Sequence, residues 1–191
     1  MQPMIDIGKN QKIIEIIKRY GGDIINAESY QVERDYCQHG VISTYEHSLA
    51  VTYMAVYLAL RSKKPVNMRS IVRGALLHDF YMYDWHNPEV KGRKVHGYTH
   101  ARRAMENAIR EFGISALEQR IIYCHMFPLN LSRVPKEKEA FYVCMADKIC
   151  ATFETVKFIE YNSITSVIGR EMEVKKLRRF ISPRRGRRRK S

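Results

Sequence analysis

Apolar residues recur along most of this chain at the three- and four-residue spacing of an α-helix, and strand-like alternation bounded by turn signals is missing. Ile13, Ile14, Ile16 and Ile17 mark one stripe over residues 9–20, and Gly21-Gly22 is expected to cap that helix at its C-terminus. Ser43 opens the next helix. Its hydroxyl suits the N-cap, Glu46 three residues on completes a capping box, and the apolar face runs to about Arg61. Asn67 caps a third helix ending near Asp79, and Thr99 opens a fourth that stops at Gly113. Ser115 with Glu118 repeats the capping box for a fifth, reaching about Phe127 before Pro128. Beyond the loop 128–135, the pattern predicts a long helix over about 136–161 and a last one over about 164–180. The expected fold class is all-α, a single helical bundle domain with polar sites between facing helices. Residues 80–97 form a long aromatic connection inside it, a candidate wall or lid of a site.

Composition sharpens this picture in two places. With 191 residues, 45% hydrophobic and 28% charged, the chain is neither wholly disordered nor collagen-like. The net charge of +13 divides unevenly: ten Lys and Arg and no acid lie in 175–191, which leaves +3 on residues 1–174. The domain is therefore expected over 1–174, followed by a basic, disordered tail over 175–191. The apolar stretch 49–60 is too short for the roughly 20 residues of a membrane span. Cys37, Cys124, Cys144 and Cys150 show no C-x-x-C spacing, and the N-terminal residues carry no leader pattern, so a soluble, cytoplasmic and reducing setting is expected.

The chemistry lies in imidazoles and carboxylates near helix ends. His47 falls in STYEHSLAV, His78 and Asp79 in ALLHDF, His100 in HGYTHARRA, His125 in IIYCHMF and Asp147 in VCMADKICA. Asp147 is the most telling. Its neighbours are nearly all apolar, and a carboxylate on a buried face must be paired or bound to a cation.

The order His47, His78-Asp79, His100, His125, Asp147 resembles the HD superfamily of metal-dependent phosphohydrolases, over a motif core of about 43–155. The six-residue set is similar to its two-metal branch, which includes HD-GYP-type and cyclic-dinucleotide phosphodiesterases and symmetrical diadenosine tetraphosphate hydrolases. By that resemblance His47, His78, Asp79 and Asp147 would hold one divalent ion, and Asp79 would bridge to a second held by His100 and His125. Four imidazoles and two carboxylates without a thiolate suit Fe, Mn, Co or Mg better than a closed zinc site. A metal-activated water would then cleave a phosphomonoester or phosphodiester. Lys148, Arg102 and Arg103 are candidate phosphate-binding cations. Asp84 and His96 are candidates, beside Asp79, for catalytic proton transfer or water orientation.

Departures from the family narrow the substrate. No GYP signature is present, and the HD pair continues as HDFYMYDW, so a cyclic-di-GMP substrate is unsupported. Tyr81, Tyr83 and Trp85 could stack on a base, which favours a phosphorylated small molecule such as a nucleotide. The alternatives from other classes are an RNA-binding or ribosome-associated protein, with non-specific RNA contact through 175–191, and a non-catalytic nucleotide-sensing HD domain.

Overall fold

Helix α3 (Thr44–Arg61) buries nearly its whole circumference, as befits its largely apolar sequence, and three other helices pack directly on it. A computed structural model describes residues 7–39, 42–62, 64–82 and 96–155 of the chain. In chain order these residues form α1 (Ile7–Ile25), α2 (Glu28–Gln31), α3, α4 (Met68–Leu76), α5 (His96–Phe112), α6 (Ala116–Cys124) and α7 (Lys138–Thr155). A 3₁₀ turn at Val32–Arg34 follows α2, and a small antiparallel ribbon pairs β1 (Cys37–His39) with β2 (Ile42–Ser43). The described residues are all-α apart from this ribbon. The expected helix over 164–180 and the basic stretch 175–191 lie outside the described residues.

Helix α3 packs against α7 and α4, α4 against α1 and α6, and α6 against α5 and α7. The core between them is made by Ile13, Ile17 and Ile24 of α1, Leu49, Val51 and Val56 of α3, Ile71 and Leu76 of α4, and Ile121 and Ile122 of α6. Tyr30 closes one end. Its hydroxyl donates to the carbonyl of Leu76 at 2.9 Å, and its ring lies against Tyr45 and Phe80.

The caps at Ser43, Asn67 and Ser115 form as the sequence predicts. Ser43 Oγ accepts from the Glu46 amide while Glu46 Oε2 accepts from the Ser43 amide, and Ser115 with Glu118 repeats the box on α6. Asn67 accepts from the Ser70 amide at the start of α4. These interactions sit within one turn of chain, so local sequence suffices to specify them.

Several boundaries differ from expectation, among them the end of α4, which stops at Leu76 and not near Asp79. Helix α1 does not stop at Gly21-Gly22 but continues to Ile25. A Cβ on Gly21 would collide with Leu76 Cδ1 and stand 3.0 Å from Val72 Cγ1, so this glycine lets α1 approach α4 and is no cap. Helix α5 begins at His96, three residues before Thr99. Helix α6 ends at Cys124 and not near Phe127, because His125 turns its ring back onto the helix and takes the carbonyl of Ile122. Helix α7 begins at Lys138.

Candidate metal centre

Two short helices of nine residues present histidine in the same way. At the end of α4, His78 Nδ1 lies 2.8 Å from the carbonyl of Ala75; at the end of α6, His125 Nδ1 lies 2.7 Å from the carbonyl of Ile122. A carbonyl only accepts, so both imidazoles carry their hydrogen on Nδ1 and turn the Nε2 lone pair inward. His78 Nε2 is buried without a hydrogen-bond partner. The C-terminal ends of both helices also direct partial negative charge at the same point, which favours a cation there.

The other members come from α3, α5 and α7. His47 sits one residue past the capping box of α3, His100 lies on the inner face of α5, and Asp147 on that of α7. All six groups are buried, none more than 6% exposed. Asp79 stands between two pairs of imidazoles. Its Oδ2 is 3.4 Å from His78 Nε2 and 3.9 Å from His47 Nε2, and its Oδ1 is 3.4 Å from both His100 Nε2 and His125 Nε2. Asp147 Oδ1 faces the first pair, at 3.3 Å from His47 Nε2 and 3.8 Å from His78 Nε2. The triads His47-His78-Asp147 and His78-Asp79-His125 each bring three ligand atoms within 4.8 Å of one another.

The electrostatics describe a site built for positive charge. Burial pushes the Asp79 carboxyl up, but His78, His100 and His125 outweigh it and hold the group well below the carboxylate range. Asp147 behaves alike: burial is overcome by a hydrogen bond from His47, by the neighbouring His78 and by the charge of Lys148. Burial lowers the pKa of His78. At His47 burial acts the same way but is overridden by Asp147 and Glu154, and the pKa rises to about 10. The His100 and His125 Nε2 atoms approach to 3.0 Å, and with the His125 hydrogen spent on Ile122, a proton or a cation must lie between the two nitrogens. Imidazole nitrogens and carboxylate oxygens around such points fit a divalent metal, and among the described residues no thiol joins the two triads.

Of the remaining candidate residues, Lys148 is at the rim, its Nζ 2.6 Å from Asp147 Oδ2 and 3.2 Å from the carbonyl of His125. Arg102 is not brought to the cluster. Two residues past His100, it points away from the inner face of α5, is exposed, and pairs with Glu106. Arg103 is exposed on the same helix. Tyr81 is not free to stack on a base, because it is buried with its hydroxyl 3.3 Å from Thr44 Oγ1 and its ring edge-on to His100. Asp84, Tyr83 and Trp85 lie outside the described residues, as does the side chain of His96.

Two buried acids near the centre escaped the sequence reading. Glu154 meets His47 from α7, and its signal was its place two turns after Asp147 on one helical face. Glu33, on the 3₁₀ turn, is 1% exposed, and burial followed by the charge of Asp79 raises its pKa to about 8. No periodicity could have marked it.

Comparison with known proteins gives one positive result. The family model described as HD domain matches residues 44–152, a span holding all six clustered groups. No match was found among curated proteins or solved structures. Among the described residues no helix is long and apolar enough to cross a membrane.

Proposed function

The chain belongs to the HD-domain family, and from that membership we propose that it is a metal-dependent phosphohydrolase with two divalent ions, acting on a phosphomonoester or phosphodiester of a nucleotide. The observation that carries this reading is the split of Asp79, with one oxygen toward His47 and His78 and the other toward His100 and His125. His47, His78, Asp79 and Asp147 would hold one ion, and Asp79, His100 and His125 the other. Fe, Mn, Co and Mg are the ions such donors suit. When bound, two such ions neutralise phosphoryl oxygens and make a water nucleophilic near neutral pH.

The protein's own residues do the rest. Asp79 fixes the distance between the two halves of the site, and the carbonyls of Ala75 and Ile122 hold His78 and His125 in the tautomer that can donate a lone pair. Lys148, tethered at the rim by Asp147, presents its ammonium to the substrate phosphate. Asp84 or His96 would supply the proton for the leaving group.

Metal analysis of the purified chain, with hydrolysis of p-nitrophenyl phosphate, bis(p-nitrophenyl) phosphate and a nucleotide panel, tests this. Two ions per chain and turnover are expected, both lost in Asp79→Ala. Less than one ion per chain and no turnover after addition of Mn or Fe would overturn it.

A further inference from the structure

His47 is gripped on both sides by one helix. Asp147 of α7 faces its Nε2, and two turns later Glu154 places Oε1 and Oε2 at 2.8 and 2.9 Å from its Nδ1. The Glu154 side chain is fully buried. A carboxylate so placed is costly unless a positive charge answers it, and replacing a buried ion pair by apolar side chains often leaves a fold no less stable. Stability alone therefore does not account for Glu154. The contrast with His78 and His125 is informative, since their Nδ1 atoms meet neutral carbonyls. The match to the HD domain also ends at residue 152, before Glu154.

We propose that Glu154 is a positioning residue that fixes His47 with its hydrogen on Nδ1 and makes the His47 half of the centre the tighter of two unequal metal sites. This rests on the two-metal reading above. An ionised acceptor on Nδ1 raises the basicity of Nε2 as a ligand, which a carbonyl does far less. With Asp147 and Glu154, the half containing His47 and His78 thereby carries two carboxylates that the half containing His100 and His125 lacks.

The test uses the full chain, stripped with a chelator and titrated with Co²⁺, followed by visible absorption and calorimetry, with apo-protein melting recorded in parallel. Wild type should bind two Co²⁺ with distinct affinities. Glu154→Gln keeps the shape of the acceptor and removes its charge; it should weaken the tighter site by about 10- to 100-fold and move the other by less than about twofold. Both affinities unchanged in Glu154→Gln overturns the proposal, even if the apo protein melts lower, because Glu154 is then only a structural acid. If Glu154→Gln fails to fold, Glu154→Asp decides: it keeps the charge but falls one methylene short, and an unaltered tight site overturns the assignment. Wild type that binds no Co²⁺ overturns the two-metal reading itself, whereas two bound ions with insensitivity to Glu154 overturns this inference alone.

Discussion

Stripped of metal, the protein should lose stability as pH rises from 6.5 to 8.5, and His47 is the main cause. Burial opposes charge on this imidazole, but its hydrogen bonds to Asp147 and Glu154 prevail and raise the pKa from 6.5 to about 10. Across that interval the folded chain keeps a proton that the unfolded chain has released. The stabilisation is complete below pH 6.5 and is withdrawn as pH climbs toward 10. Each pH unit inside the window removes about 1.4 kcal/mol, hence about 3 kcal/mol by pH 8.5, a large share of the roughly 5–15 kcal/mol of a typical domain. Glu33 adds a fall of the same sign between pH 4.5 and about 8, since its raised pKa also retains a proton in the folded state. Cys124 and Cys144, pushed up chiefly by burial, join only near pH 9, above the chosen range. The quantity to measure is therefore the difference in urea unfolding free energy between wild type and His47→Gln, with chelator present, at pH 6.5, 7.5 and 8.5. It should shrink by about 1.4 kcal/mol per pH unit. A difference that stays constant refutes the charged clamp around His47. In the same range metal must displace that proton, so apparent metal affinity should rise about tenfold per pH unit.

Four other outcomes follow. Gly74→Ala gains about 1 kcal/mol in helix propensity, yet its Cβ would stand 2.5 Å from Cγ2 and 3.0 Å from Cβ of Ile121, a branched side chain with little room to yield; a net loss of about 1–2 kcal/mol should appear as a lower melting temperature. Ser43→Ala removes the N-cap of α3 one turn before His47 and should cost about 1 kcal/mol in denaturant unfolding, with metal retained. Lys148→Met should raise KM for a phosphorylated substrate at least about tenfold, in line with loss of a charged hydrogen bond, with metal content unchanged. Arg102→Ala should change KM by less than about twofold, because its exposed pair with Glu106 contributes little and faces away from the centre; a large rise in KM would show that α5 presents this face to substrate.

The helical class, the capping boxes at Ser43 and Ser115 and the Asn67 cap were legible in the sequence because each depends on residues within a turn of one another. The six metal-binding candidates were legible for a different reason: imidazoles and carboxylates beside apolar runs are expensive unless they serve a charge, and their order resembled a known family. What separates neighbours in space stayed hidden. Gly21 looked like a helix stop because glycine serves both as a cap and as a point of close approach, and only the crossing of α1 over α4 distinguishes the two. Tyr81 looked available for stacking until the ends of α3 and α5 enclosed it. Glu33 was hidden because nothing in the chain near it records that it is buried, and Glu154 was marked only by its register with Asp147 on one face of α7. The sequence by itself determined which local structures form and which chemistry is present. Tertiary structure alone decided which oxygen of Asp79 faces which imidazoles and which acid grips His47, because those relations join residues up to 107 positions apart and exist only when the helices are packed.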